Sequence, residues 1–450
     1  MTSYKGKKIS IIGAARSGEA AAYLAAKLGA VPFVSDSGAP EKTADVTTRL
    51  KAAGIEFEAG TNSERVYDCD LMIVSPGVPL ESAVVLEGKK RNIRMISEIE
   101  FAASVCKGKI YAITGTNGKT TTTSLLHHIF SLSGKKSFSA GNIGIAFSEI
   151  ALECETDSLV ALEVSSFQLD LIEKFKPNGA AILNITPDHL NRYENKFENY
   201  IASKYRIVEN QTGSDISLYN ADDEVLQENG YKGASLRFFS TKKEVDNGTY
   251  LSHPRLVTRI GGNFIFSFDI NDLQIKGEHN LANAAAAITM AIDAGIDKKV
   301  IEQGLKSFKA VEHRLEPVPS NDGIVYINDS KATNVDSVVY ALRSFDSPII
   351  LILGGLDKGN NYDLIRDLVS KNVKKIYAIG DSASKVYDYF SKIVEVELVG
   401  SLEECVQKGH YEAQKGEVVL LSPACASFDM FKSYEHRGEV FKSAVKEIAG

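Results

Sequence analysis

No stretch of this 450-residue chain stays apolar for the length needed to cross a bilayer, so membrane insertion is not expected. There is no excess of positive charge either. Lys and Arg number 51 against 58 Asp and Glu, and the formal charge of −7 argues against a broad nucleic-acid or anionic-membrane surface. Anionic ligands must then be met by a few placed cations and by backbone amides. The five cysteines (Cys69, Cys106, Cys154, Cys405, Cys425) form no Cys-x-x-Cys pair, which excludes a zinc framework and suits free thiols in the reducing cytoplasm. Short repeats and low-complexity tracts are also absent. Lys5, Lys7 and Lys8 before Ile9-Ser10-Ile11-Ile12 faintly resemble a secretion signal, but Gly13, Arg16 and Glu19 interrupt the apolar run, and a first β-strand is expected there. The remaining composition, 44% hydrophobic and 24% charged, is that of a globular protein, and the length suggests about three domains.

The most informative stretch is Tyr111 to Thr122. It reads as a strand over 109–114, a tight turn Gly115-Thr116-Asn117-Gly118, and a helix opening at Lys119-Thr120-Thr121. Backbone N–H groups of such a turn, with the positive end of the following helix, make a cradle for phosphate. Lys119 supplies a point charge, and the Thr120 hydroxyl can reach a phosphate-bound Mg²⁺. Ile113 stands where the longer phosphate loop has its first Gly, so this is a shortened variant with ATP as the expected ligand.

Strand and helix alternate on both sides of that loop. In the first third, a strand over 8–12, the turn Gly13-Ala14-Ala15-Arg16-Ser17-Gly18, a helix over 19–28 and a strand ending at Asp36 resemble a dinucleotide fingerprint with Ala15 at its middle Gly. Taken alone this suggests NAD, yet the same geometry suits other nucleotides. A further strand over 71–74 leads into the rigid turn Ser75-Pro76-Gly77-Val78-Pro79, at the edge where open α/β sheets bind ligands. In the middle third, strands over 157–164 and 179–185 end near Glu163 and Asp188-His189, and a helix over 197–210 carries Lys204. Residues 214–275, with Asn-Gly and Gly-Gly turns, suggest an antiparallel patch. After a hinge at Glu312-His313-Arg314, strands over 324–328, 348–353, 375–379, 394–399 and 418–421, separated by helices of ten or more residues, imply a parallel doubly wound sheet. Glu163 and His189 would meet Lys119 at one sheet edge, where a carboxylate and an imidazole suit Mg²⁺ or Mn²⁺ beside phosphates.

These segments carry a resemblance. Gly115-Thr116-Asn117-Gly118-Lys119-Thr120, Leu162 to Leu169, Thr186-Pro187-Asp188-His189-Leu190, Gly277-Glu278-His279-Asn280, Glu312-His313-Arg314 and Asn328 to Asn334 are similar to the Mur ligase family, in the family's order and over nearly the whole chain. Leu353 to Lys358 and Leu421 to Asp429 resemble its D-glutamate-adding branch. The resemblance implies an α/β fold of three domains. A Rossmann-like domain over 1–107 would bind UDP-MurNAc-L-Ala, a central ATPase domain over 108–312 would bind ATP, and a Rossmann-like domain over 313–450 would take D-glutamate. It implies an ATP-dependent amide ligase working through an acyl phosphate, with a monomer as the expected state.

Roles transfer residue by residue. Lys119 would neutralise phosphate, Thr120 and Glu163 would hold one Mg²⁺, and His189 with a CO₂-carbamylated Lys204 would hold a second. An unmodified ammonium at Lys204 would be repelled there. Asn142 would orient the acyl phosphate, and Asn280, Arg314, Asp329 and Lys331 would contact ATP alongside Gly115 to Thr121. Arg16, Ser17, Asp36, Ser75, Pro76 and Gly77 would hold the UDP end, with Arg16 or Lys42 supplying the charge that relatives place just after the acid. Thr333, Lys358, Ser427, Phe428 and Tyr434 would form the D-glutamate pocket, where a dicarboxylate wants a cation and hydroxyls. Rival readings are another ligase of the family, including one extending folate with glutamate, and a two-nucleotide sensor without turnover.

Overall fold

Short apolar strands followed by helices build three separate sheets in the computed structural model, which describes residues 4–449 apart from Lys276, Ala310, Val311, Asp346 and Lys358, and apart from the side chains of Lys42, Asn191 and Asp336. The first sheet comprises β1 (Lys8–Ile12), β2 (Val31–Asp36), β3 (Glu56–Ala59), β4 (Leu71–Val74) and β5 (Met95–Ser97), all parallel, in the order β3-β2-β1-β4-β5. All four residues of β4, Leu-Met-Ile-Val, are buried, as a parallel strand covered on both faces requires. Helix Arg16–Lys27 buries Ala20, Ala21, Ala22 and Ala25, whose small side chains let it lie close to the sheet.

The second sheet holds β6 (Lys109–Thr114), β7 (Ser137–Gly141), β8 (Leu159–Glu163), β9 (Gly179–Ile182), β10 (Ile216–Asn220), β11 (Ser235–Ser240), β12 (Gly248–Ser252), β13 (Arg255–Ile260) and β14 (Asn263–Asp269). Its order is β14-β13-β12-β11-β10-β9-β6-β8-β7. The antiparallel patch expected over 214–275 is confined to β12, β13 and β14; β10 and β11 instead extend the parallel sheet. Helix Glu224–Asn229, capped by the Asp223 carboxylate accepting from Leu226 N–H at 2.9 Å, carries the chain back between them and makes the pair parallel.

The third sheet runs β15 (Glu316–Val318), β16 (Val325–Asn328), β20 (Val418–Leu421), β17 (Ile349–Gly354), β18 (Val373–Ile379) and β19 (Glu395–Leu398). It is parallel except for the edge strand β15, which the sequence pattern did not reveal. Two of its helices are shorter than the ten residues expected: Val335–Arg343 has nine and Ala383–Phe390 has eight.

The chain forms two compact units, Met1–Leu273 with Asn280–Phe308, and Gln274–His279 with Lys309–Gly450. Within the first unit one apolar cluster runs from Ile9 and Ile11 through Phe101 to Phe147, Ile150 and Val160, so two sheets share a core. Helix Glu98–Ala103 acts as their joint: Glu98 accepts the Ser148 N–H at 2.6 Å, and Glu100 accepts the N–H groups of Glu173, Lys174 and Phe175 at 2.7–3.1 Å. Among the described residues no helix is long and apolar enough to cross a membrane.

Candidate functional site

β6 ends at Thr114, and residues 115–118 turn the chain into helix Lys119–Ser131. Gly115 (φ +151°) and Gly118 (φ +84°) make that turn, and a Cβ at Gly118 would stand 2.4 Å from Asn283 Oδ1, so a side chain is excluded twice over. The turn is laced to the segment following β9. Thr116 N–H donates to the Asn184 carbonyl at 2.9 Å and Asn117 N–H to Asn184 Oδ1 at 2.8 Å, while the Asn184 amide returns to the Asn117 carbonyl at 3.0 Å. The Thr116 hydroxyl donates to the Thr186 carbonyl and accepts its N–H, both at 3.0 Å.

Two lysines meet on this turn. Lys119 Nζ donates to the carbonyls of Gly115 and Thr116, both at 2.8 Å. Lys204, on helix Phe197–Tyr205, is 1% exposed and donates to the same Gly115 carbonyl at 2.9 Å, with its Nζ 4.5 Å from the Tyr200 ring centroid. Burial, and after it the Lys119 charge, holds the Lys204 ammonium well below the ordinary lysine range. Thr120 and Thr121 are buried in the first helical turn.

β8 lies beside β6, and its last residue, the buried Glu163, accepts from the Asn142 side-chain amide at 2.9 Å. His189 takes a left-handed conformation (φ +52°), donates its N–H to Asp188 Oδ1 at 2.8 Å, and sets its ring edge-on to Phe167 at 5.1 Å. Asn280 Oδ1 accepts from Asn283, whose own oxygen accepts from Thr122 of the helix after the loop.

A cavity of about 660 Å³ opens at the carboxyl ends of β1 and β4. Arg16, Ser17, Asp36, Ser75, Pro76 and Gly77 all line it, joined by Asn62, Asn142 and Gln168. The Asp36 carboxylate shapes its rim, accepting Ala14 N–H and Gly38 N–H, both at 2.7 Å. A Cβ at Gly18 would meet the Gly13 carbonyl oxygen at 1.8 Å, which explains the glycine where helix and strand approach. The Arg16 guanidinium donates to the carbonyls of Gly144, Gly141 and Asn142, so much of its hydrogen-bonding capacity goes to the protein's own backbone.

In the second unit the Arg314 charge acts on both His279 and Asp329. Burial pushes the Asp329 carboxyl up to about 7, against the pull of Arg314 and of the Ser422 hydroxyl, which donates to it at 2.8 Å. Arg314 Nε is buried with no hydrogen-bond partner among the described residues, as a donor awaiting an anion would be. Lys331 Nζ lies 5.1 Å from the Tyr434 ring, which also meets the His313 ring at 6.2 Å. Tyr434, expected at D-glutamate, is thus a neighbour of Lys331, expected at ATP. Of the remaining D-glutamate candidates, Thr333 is half-buried, Ser427 is buried, Phe428 is 69% exposed and Lys358 lies outside the described residues.

Residues 113–291 match the Mur ligase middle domain, 313–425 the Mur ligase glutamate ligase domain, and 8–84 the MurD N-terminal domain. The chain belongs to the Mur ligase family. This Mur ligase is 43% identical to a UDP-N-acetylmuramoylalanine--D-glutamate ligase of Chloroherpeton thalassium, with 99% of each chain covered. It is also 43% identical to the enzyme of that name from Christiangramia forsetii, over 98% of this chain and 100% of the relative. Its fold matches a UDP-N-acetylmuramate-alanine ligase from Thermotoga maritima at 20% identity, with a TM-score of 0.64 and coverage of 98% and 99%.

The donor set of this Mur ligase fits a hard divalent cation. The buried Glu163 carboxylate ends the strand beside β6 and the Thr120 hydroxyl opens the helix after the turn, and oxygen ligands of this kind suit Mg²⁺. Sequence reasoning missed several residues here. Asn184 is a polar residue two positions past the apolar strand β9, which is a usable signal. Gln168 completes a capping box with Ser165, a visible pattern that says nothing of a cavity. Asn62, Arg192 and the buried Arg437, which donates to the carbonyls of Ser330, Cys425 and Ala426, had no local signal.

Proposed function

We propose that this Mur ligase joins D-glutamate to UDP-N-acetylmuramoyl-L-alanine at the expense of ATP, as a cytoplasmic, monomeric enzyme of peptidoglycan synthesis. Full-length identity of 43% to relatives bearing that name supports the substrates. The observation that carries the chemistry is the convergence of Lys119 and Lys204 on one carbonyl of the phosphate loop, with Glu163 ending the neighbouring strand.

In this reading residues 1–107 take the uridine nucleotide, with Arg16, Ser17, Asp36, Ser75, Pro76 and Gly77 around it, in the cavity they line. Residues 108–312 would bind ATP through the amides of Gly115 to Thr121; Arg314, Asp329 and Lys331 are this reading's further ATP residues, and Thr333, Lys358, Ser427, Phe428 and Tyr434 its D-glutamate residues. Thr120 and Glu163 would hold one Mg²⁺, and His189 with modified Lys204 a second, with Mn²⁺ acceptable in either place. When bound, the metal supplies neutralisation of β- and γ-phosphate charge.

The chain's own residues do the rest. Lys119 leaves its loop carbonyls for the phosphate, which offers it a full negative charge. Lys204, desolvated and held below its ordinary range, gives up one proton to become an amine, which adds to CO₂, forming an N–C bond and releasing a second proton. That exchange turns a repelled cation into an anion. Asn142, held on Glu163, orients the activated carboxyl, to which the D-glutamate amine adds as phosphate leaves. Phosphoryl transfer of this kind rests on positioning and charge.

Phosphate release measured with UDP-MurNAc-L-Ala and a panel of D-glutamate, L-alanine and diamino acids tests the reading. Release dependent on both UDP-MurNAc-L-Ala and D-glutamate is expected. Release with a different amino acid would assign another ligase of the family, and none with any would remove the activity.

A further inference from the structure

Arg192 is used by none of the chemistry above, yet it touches both the nucleotide cavity and the His189 loop. It lies at the end of the short 3₁₀ turn Leu190–Arg192 that follows His189. Its guanidinium donates to three successive carbonyls of the turn after β4: Pro76 at 3.3 Å, Gly77 at 3.4 Å and Val78 at 3.2 Å. The same group stacks over the Phe167 ring at 4.4 Å. Phe167 in turn meets the His189 ring edge-on at 5.1 Å and lies parallel to Tyr193 at 6.0 Å.

The consequences follow from peptide geometry. A trans peptide aims its C=O and the next N–H in opposite directions. Holding the Pro76 carbonyl on Arg192 therefore holds the Gly77 N–H on the other side, and Gly77 lines the cavity. The Val78 N–H is already spent on the Ser75 carbonyl at 2.9 Å. Pro76 and Pro79 have no N–H to offer. Gly77 is thus the turn's donor to an oxygen of the ligand, and its direction depends on Arg192. A lysine could reach one carbonyl, but it cannot span three and stack on a ring at once.

We propose that Arg192 is a positioning residue that couples the nucleotide-sugar cavity to the His189 loop. It aims the Gly77 amide at the oxygen-rich uridine-nucleotide end of the substrate, and through Phe167 it sets the His189 ring. This rests on the ligase reading, and two readouts keep the two apart. Turnover by the wild type with UDP-MurNAc-L-Ala and D-glutamate tests that reading, and the ratio of variant to wild type tests Arg192.

Arg192→Lys and Arg192→Gln are compared with the wild type for KM of each substrate, kcat, and melting temperature. Both variants are expected to raise the KM for UDP-MurNAc-L-Ala about tenfold and to lower kcat, while the KM for ATP stays within about twofold. The lysine variant should recover less than half of the lost affinity. UDP titrated calorimetrically should lose affinity in the same proportion. Equal shifts in both KM values, an unchanged KM for the nucleotide sugar, or two variants that fail to fold would each overturn the proposal, the last by assigning Arg192 to stability alone.

Discussion

Lys119 Nζ and Lys204 Nζ share one acceptor, the Gly115 carbonyl oxygen, at 2.8 and 2.9 Å. Two ammonium groups so placed would repel by about 3 kcal/mol at an effective dielectric near 20. The buried member, Lys204, gives up its proton more readily, first because of its burial and second because of the Lys119 charge. Lys204→Ala is expected to cut ligation at least about a hundredfold while leaving ATP affinity within about threefold. Phosphate release and nucleotide calorimetry on the same preparation check it, and near-normal turnover would remove Lys204 from the chemistry.

Gly118 combines a left-handed backbone with a side-chain space already taken by Asn283. Gly118→Ala should cost about 1–3 kcal/mol of stability and raise the KM for ATP. Gly213 has a similar φ of +60° but open space around it, so Gly213→Ala should show the smaller backbone cost alone and an unaltered KM. Urea denaturation with steady-state kinetics distinguishes them.

Glu163→Gln keeps an oxygen to accept from Asn142 but loses the charge. The Mg²⁺ concentration giving half-maximal phosphate release should rise at least about tenfold. Chelation with EDTA should stop release in both proteins, and added Mg²⁺ should restore both, the variant only at the higher level.

Glu98, fully buried in the joint between the first two sheets, has its carboxyl pushed up to about 6, mainly by burial. The folded protein then keeps a proton that the unfolded chain releases near pH 4.5. Wild-type stability should therefore fall as pH rises from about 4.5 to about 6, by on the order of 2 kcal/mol, and stay lowered above that. Glu98→Gln retains an acceptor for the Ser148 N–H and does not titrate. The stability difference between the two proteins, followed by denaturation from pH 4 to 8, should move in the variant's favour across that interval and then level off.

Local structure was readable wherever neighbours along the chain decide it. The phosphate loop needs only residues 109–122: an apolar strand, two glycines that accept positive φ, and a lysine opening a helix. The β4 strand and the Ser75 to Pro79 turn are equally local. Where the alternation was less clean, the pattern misled. The turn-rich stretch over 214–275 hid the helix Glu224–Asn229, and the antiparallel pairing shrank to β12, β13 and β14.

By itself the sequence determined the strand-turn-helix cradle, the alternating α/β class and the family, because short-range sterics and backbone hydrogen bonding act over a few residues. Only the tertiary structure decided which distant groups meet. Lys204 reaches a carbonyl 89 residues away. Arg16 reaches carbonyls 125–128 residues away, Arg192 gathers three others 114–116 residues away, and the cavity draws its walls from both sheets of the first unit. Those meetings depend on the order in which strands pair and on how two sheets share a core, and no local spacing records either.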